Sequence, residues 1–425
     1  MTGSAASLAL WIAIAWPLLL AFPALRRRLP APRILAILPA ALVTVSTGDV
    51  ASQLPYVLFG TGISIDHNVR WVFGMLVVVW SVATVVAASS GVSVERDRET
   101  TFALIVLGGS LGSVLAADLL SFFSFSTAMA YSFYALLVSR GDADLRSVGR
   151  LYLGCVVVAD LALFDALILA AFSTRDFQFE GVRLAMAGSA SVEFYSWLVL
   201  SAFVLKAGLW PAHRWVCNAY ALAPRSSAIL LGAAPVSIGL LGAVRWLPPG
   251  EDDFTRTAAV ISAMGIIAVV RALYRFRACS SMRAASASAA VLVSGLFLVG
   301  IGWTFAQLTS WSALENTLYP SIAAYGMLLA LLAMAHGRSS ALEPQRISLG
   351  PIVIEARNRM AAIAMFLRDS VVARLNASVH AARIGTAWRQ LQEFERLGFG
   401  LADRGWTTAI TVFVLLGLAI GWLAR

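Results

Sequence analysis

The stretch Val192–Trp215 reads VEFYSWLVLSAFVLKAGLWPAHRW, an apolar run that carries the positive charge of Lys206. Lys206 is the only lysine in the chain, and every other strongly basic residue is an arginine. Lysine can release its proton when it is desolvated, whereas arginine stays charged. An ionisable residue inside a membrane segment indicates a functional site by default. The sequence therefore predicts that Lys206 binds and releases a proton; the alternative is a structural ion pair that fixes two helices.

The same stretch contains signals that interrupt a helix just after the lysine. Gly208 follows Lys206 closely, and Pro211 comes next. Proline removes a helical hydrogen bond and frees a carbonyl group. In a membrane such a break is tolerated where it is buried in protein or lines a cavity. We expect a discontinuous helix with its break at Gly208 and Pro211, which suits a site that holds a proton or a hydrated ion.

The composition is that of a polytopic membrane protein. The chain has 425 residues, is 59% hydrophobic and 13% charged, and has a mean hydropathy of +0.80, whereas soluble domains are about 25% charged. The net charge of +9 does not indicate nucleic-acid binding, because the arginines cluster at the ends of apolar runs. Cysteines and histidines are too dispersed for a metal site or a disulfide framework. We expect neither metal nor cofactor, and any redox chemistry would belong to partner subunits.

Apolar runs predict an all-α membrane bundle of about twelve spans. These runs lie, roughly, at 5–24, 33–48, 70–90, 101–119, 120–138, 149–173, 193–215, 226–247, 255–272, 284–304, 317–336 and 405–424. Residues 58–71, before the third span, have a Gly-rich alternating pattern that predicts a short surface hairpin. The excess of arginine in alternate loops predicts an N-terminus outside a bacterial inner membrane. The arginines left on the outer side are Arg70, Arg175, Arg183 and Arg245.

Residues 351–397 differ from the spans because arginines recur among their apolar positions. This pattern predicts a long amphipathic helix on the inner membrane surface; the alternative is a solvated helical linker. The chain then divides into a transmembrane bundle at 1–340, the lateral helix at 341–400 and a C-terminal membrane anchor at 401–425.

The lysine stretch carries a specific family motif. It resembles the antiporter-like subunits of respiratory complex I and of the Mrp-type cation/proton antiporters, which share the pattern K-S-A-x-x-P-x-H-x-W-L-P-D-A. The matching positions are Lys206, Pro211, His213, Trp215 and Ala219. Residues 62–76 and 115–137 resemble two further family segments, and the second of these includes Asp118. The resemblance implies a proton-translocating subunit that works inside a larger complex.

The chain departs from this family where the lysine should meet its acidic partner. The register puts Ser126 at the position of the family's membrane-embedded glutamate. The late-span motif with a second lysine or glutamate is absent as well. Asp160 and Asp165 lie inside the sixth apolar run and are candidate counter-ions for Lys206. At a spacing of five residues they do not share a helix face, so we expect one of them to face the lysine; the alternative is local capping for both.

Two further residues are candidates for the ion path. Asp118 lies at the end of a span, where helix capping is the alternative role. His213 can titrate near neutral pH and would connect Lys206 to the inner surface, unless it only anchors the chain at the interface.

The sequence thus predicts a proton-translocating or proton-coupled subunit that has no chemistry of its own, within an oxidoreductase-like complex. Its partners would be other antiporter-like, quinone-binding or hydrogenase-type subunits, protons or monovalent cations, and lipid. One alternative is the membrane subunit of an inorganic carbon transporter of the DAB type, paired with a zinc-containing, carbonic-anhydrase-like subunit. A second alternative is a degenerate scaffold that no longer transports.

Overall fold

A computed structural model describes residues 3–338 except for 30, 47, 55–60, 89–93, 140–141, 175–176, 249–253, 277–281 and 308–310. Within these residues the chain is helical apart from one short hairpin. The helices are α1 (Gly3–Leu20), α2 (Pro23–Arg26), α3 (Pro32–Leu35), α4 (Leu38–Ser46), α5 (His67–Ala88), α6 (Val94–Leu115), α7 (Leu119–Val138), α8 (Ala143–Ser173), α9 (Phe179–Ala187), α10 (Val192–Ala207), α11 (Arg214–Leu222), α12 (Arg225–Leu231), α13 (Ser237–Trp246), α14 (Phe254–Phe276), α15 (Met282–Gln307) and α16 (Trp311–Arg338).

Among the described helices, seven are long and apolar enough to cross a membrane. These spans are His67–Ala87, Leu119–Val138, Ala143–Ser173, Arg225–Trp246, Ala258–Phe276, Ala285–Trp303 and Glu315–Met334. A helix also lies at every other predicted span up to residue 336, but α1 and α4 have shorter apolar parts. The predicted span at 405–424 and the lateral helix lie outside the described residues. The protein is a multi-pass helical membrane protein, and the total of about twelve spans stays a prediction.

The predicted surface hairpin exists but is shifted along the chain. Strands β1 (Val50–Leu54) and β2 (Thr61–Ile65) pair antiparallel, with Val50 opposite Ile65. The predicted stretch 58–71 therefore contains only β2, and its last residues already belong to α5. The prediction missed β1 because that strand carries no glycine and little alternation.

The lysine helix packs in the interior of the bundle. Every residue of α10 from Leu198 to Ala207 is buried, as expected for a helix that is apolar on all sides. Close packing against α13 depends on Gly239, where an added Cβ would lie 2.8 Å from the backbone nitrogen of Ala207. This contact places the C-terminal turn of α10, which carries Lys206, against the middle of the α12–α13 span.

Candidate functional site

The helix that carries Lys206 is interrupted at Gly208. Its φ of 61° is left-handed, a conformation that glycine adopts without steric cost. The helix begins again at Arg214, as α11. The Leu205 carbonyl accepts a hydrogen bond of 3.1 Å from the indole of Trp215. The break predicted from Gly208 and Pro211 therefore exists, and the helix ends at the glycine rather than at the proline.

Lys206 forms a buried ion pair with Asp160 of α8. Its Nζ atom lies 2.7 Å from Asp160 Oδ1, and the side chains are only 5% and 10% exposed. The same Nζ donates a hydrogen bond of 3.2 Å to Ser126 Oγ on α7. A charge buried in this way requires a partner, because an isolated one would cost several kcal/mol. Three helices therefore contribute one polar group each to a single site.

A small cavity adjoins this site. Its volume is about 10 Å³, and its lining includes Ser126, Tyr152, Lys206 and Pro235. That volume corresponds to roughly one water molecule. Pro235 belongs to a π-helical turn at Gly232–Val236 that joins α12 to α13, and such turns are frequent at functional sites. Lys206 therefore lies at the end of one interrupted helix and close to the irregular turn of a second helix.

Asp165, the other predicted counter-ion, lies on a different face of α8. Asp160 is buried at 7% exposure, whereas Asp165 is exposed. Five residues rotate an α-helix by about 500°, or roughly 140° beyond a full turn. Only Asp160 can therefore face Lys206, and Asp165 is not part of this site.

The structure gives Asp118 a local role. Its carboxylate accepts hydrogen bonds from the Ser121 amide at 2.7 Å, the Ser121 hydroxyl at 2.6 Å and the Gly62 amide at 2.8 Å. It caps α7 and ties the β-hairpin to this helix end. The capping alternative raised by the sequence thus describes its observed contacts, which do not include Lys206.

His213 lies on the other side of the helix break from Lys206. It is 5% exposed, and its carbonyl accepts a hydrogen bond of 3.0 Å from the Cys217 amide at the start of α11. The lysine and the histidine thus sit on the two segments that flank the break. Its predicted role as a proton relay remains a prediction.

Sequence reasoning missed the burial of Arg245, which lies in the last turn of α13. Arg245 was counted among the arginines of the outer loops, yet it is 4% exposed. Its guanidinium donates to the carbonyls of Ser113, Val114 and Ala116 at 2.8–3.1 Å and to Tyr319 Oη at 3.1 Å. The sequence offers no signal for this, because an arginine beside a tryptophan at a span end is typical of an interface anchor.

Glu315 forms an ion pair with Arg183, whose Nη1 lies 3.2 Å from Glu315 Oε1. This contact joins α9 to α16.

In the part of the chain that the structure describes, no group of three or more histidine, cysteine or acidic residues is arranged to hold a metal ion.

Known proteins resemble this chain in sequence. The family model described as NADH:quinone oxidoreductase/Mrp antiporter, TM, matches residues 116–279. NADH-quinone oxidoreductase subunit M of Mycobacterium tuberculosis is 28% identical over 171 residues, which are 37% of this chain and 31% of that protein. An uncharacterised protein of the same organism is 30% identical over 115 residues, 27% of this chain and 18% of that protein. The matched parts thus cover less than a third of either relative.

Solved structures show the same fold. The Mrp complex from Dietzia sp. DQ12-45-1b contains a chain that matches with a TM-score of 0.65 at 17% identity, over 78% of this chain and 37% of that one. The membrane-bound sulfane sulfur reductase, an archaeal respiratory membrane complex, matches with a TM-score of 0.62 at 18% identity, over 76% of this chain and 55% of that one. Residues 116–279 therefore match the NADH:quinone oxidoreductase/Mrp antiporter membrane-domain family, and the chain shares its fold with a chain of each of these two complexes.

Proposed function

We propose that the chain translocates protons as a subunit of a multisubunit membrane complex, and that Lys206 and Asp160 form its proton site. The observation that carries the proposal is their buried contact of 2.7 Å. A proton that moves across this contact from the ammonium to the carboxylate neutralises both groups at once. Neither the charged nor the neutral state leaves an unpaired buried charge, which is the costly alternative.

Ser126 suits both states of the lysine. Its hydroxyl accepts from the ammonium form and donates to the Phe123 carbonyl at 3.1 Å. A rotation of the hydroxyl away from that carbonyl would let it donate to the neutral amine. The adjoining cavity has room for about one water molecule. Such a water would extend the hydrogen-bonded path without a large rearrangement of the surrounding helices.

We place the second half of the path at the helix break. His213 stands on the far segment of the break, at the start of α11, and would pass protons between Lys206 and the inner membrane surface. The driving energy would come from partner subunits of a respiratory or antiporter type in a bacterial inner membrane, with the N-terminus of this chain outside. Protons are the proposed substrate rather than a metal cation, because the site offers one lysine and one carboxylate.

Proton uptake tests the proposal directly. We would purify the complex that the tagged full-length chain forms, reconstitute it in vesicles and drive proton uptake with an imposed potassium diffusion potential. We expect Lys206→Ala to abolish uptake while the complex remains assembled. Asp144→Asn is the matched control, since Asp144 is an exposed carboxylate on the same helix as Asp160, and it should leave uptake unchanged.

A double variant covers the case in which Lys206→Ala fails to assemble. Lys206→Leu with Asp160→Leu replaces the ion pair by apolar side chains, a change that is often neutral for stability. Normal proton uptake in either assembled variant would overturn the proposal.

The two alternatives remain predictions. The degenerate scaffold is favoured by Ser126 at the position of the expected glutamate; neutral Lys206 variants, combined with loss of assembly on deletion of 351–397, would support it. The carbon transporter reading has no comparable support, because the matches described above are respiratory and antiporter proteins. Co-purification of a large zinc-binding partner would favour it.

A further inference from the structure

One side of α8 forms an exposed stripe. Leu161 is 61% exposed, Phe164 49%, Ile168 39% and Phe172 86%. These positions recur at spacings of three and four residues, so they share one helix face. Asp165 is also exposed and lies inside the same stripe. Two phenylalanines and two aliphatic side chains therefore surround a carboxylate that contributes nothing to the Lys206 site.

The position of Asp165 makes lipid an unsuitable neighbour. The residue lies about 12 Å from the end of α8 at Ser173, at 1.5 Å per residue, with apolar stripe residues on both sides along the helix. Ionisable side chains in membrane spans nearly always face the interior of a bundle, where they pair with one another. Apolar side chains alone would explain an exposed face against lipid, but a carboxylate among them requires a hydrogen-bond donor.

We propose that this stripe docks a membrane helix of a different subunit, and that this helix carries a lysine or arginine opposite Asp165. Within the described part of the chain, Asp165 has no hydrogen bond or ion pair. The chain's only lysine, Lys206, is buried and paired with Asp160. The predicted last span has no basic residue between Arg404 and Arg425. A second copy of the same stripe would bring another carboxylate rather than a cation.

The two exposed phenylalanines fit the same role. Aromatic side chains that fill pockets supply much of the energy of protein interfaces, and charged pairs at their centre fix the register. Phe164 directly precedes Asp165 and Phe172 lies two helical turns beyond it, so they would anchor the partner helix beside the ion pair and toward the end of α8. The inference shares with the proposed function the assumption of a multisubunit complex, but it is independent of the proton path.

Crosslinking identifies the occupant of the stripe. A photoreactive phenylalanine analogue would replace Ile168 in the full-length chain, and membranes that contain the intact complex would be irradiated. We expect a crosslink to a different polypeptide, within a membrane helix that contains a lysine or arginine. A crosslink within the same chain, a crosslink to a second copy or labelling of lipid alone would each overturn the proposal.

Substitution of Asp165 gives opposite results for a partner and for lipid. Against a cationic partner, Asp165→Leu strands a buried charge, and recovery of the partner with the tagged chain should fall about a hundredfold. The control Asp165→Glu keeps the charge and should retain the partner. If the stripe faces lipid, Asp165→Leu would leave recovery unchanged and improve retention of the chain in the membrane, which would refute the inference.

These readouts need no transport activity, so the two proposals can fail separately. Loss of the partner in Asp165→Leu, together with normal proton uptake in the Lys206 variants, would support the interface and reject the proton site. Normal recovery of the partner in Asp165→Leu, together with loss of proton uptake in the Lys206 variants, would support the proton site and reject the interface.

Discussion

The acidic partner of Lys206 comes from a different helix than the family motif implies. Ser126, which the sequence register assigns to the position of the family's glutamate, contacts the lysine from α7, with Nζ and Oγ 3.2 Å apart. The carboxylate is supplied instead by Asp160 of α8, at 2.7 Å. Side chains from α7 and α8 thus contact the same ammonium group.

This arrangement predicts that a carboxylate at position 126 of α7 can replace Asp160 as the partner of Lys206. Asp160→Asn alone leaves a buried ammonium without a counter-ion and should lower the free energy of unfolding by about 3–5 kcal/mol. Ser126→Glu alone should also destabilise the protein, because two buried carboxylates would share one lysine. Combining the two substitutions restores one acid per lysine, and thermal unfolding in detergent should recover most of the loss.

The double variant is informative because each single substitution is expected to be destabilising. If the doubly substituted protein unfolds at no higher temperature than Asp160→Asn, the side chain at position 126 does not reach the lysine. The same comparison with Ser124→Glu, a neighbouring serine on α7, serves as a control and should give no recovery.

At the scale of elements, the sequence located the helices well and their ends less well. A helix lies at each predicted span up to residue 336, because long apolar runs can satisfy their backbone in a membrane only as helices. The break after α10 was expected at Gly208 and Pro211, and the left-handed turn at Gly208 is where the helix ends. Helical periodicity indicated that only one of Asp160 and Asp165 faces the lysine. Which of the two does so depends on how α10 packs against α8, which the sequence does not give.

The turn at Gly208 predicts that this glycine cannot be replaced. A Cβ there would overlap Val216 Cγ2 and lie 2.8 Å from the Trp215 ring, and the left-handed backbone adds about 1–2 kcal/mol for any other residue. Gly208→Ala should therefore lower the free energy of unfolding by more than about 2 kcal/mol. Gly188→Ala is the matched control, because nothing lies within 4 Å of its added Cβ. Equal unfolding temperatures for the two variants would contradict this account.

At the scale of the whole molecule, two buried arginines hold opposite ends of α6. Near its start, Arg26 is 3% exposed and pairs with Asp97, while it also donates to the Ala21 carbonyl at the end of α1. The hydrogen bond from Arg26 holds the pKa of Asp97 below its ordinary value. At the other end, Arg245 binds the terminal carbonyls of α6. As a sequence feature, Arg245 served only as a marker of membrane topology, because burial of this kind depends on neighbours that are distant in the chain.

The clamp at Arg245 predicts that lysine cannot replace arginine there. The planar guanidinium reaches two carbonyls of α6, the Ala116 carbonyl just after it and the hydroxyl of Tyr319 at once, whereas an ammonium has three donors on a single atom. Arg245→Lys should leave at least one of these four buried acceptors without its donor and lower the free energy of unfolding by about 1.5–3 kcal/mol. Arg150→Lys on the exposed part of α8 should change it by less than about 0.5 kcal/mol. Since α6, α13 and α16 all meet at Arg245, the loss should appear as earlier unfolding of the whole bundle in denaturant, and an unchanged midpoint for Arg245→Lys would show that the clamp does not hold these helices together.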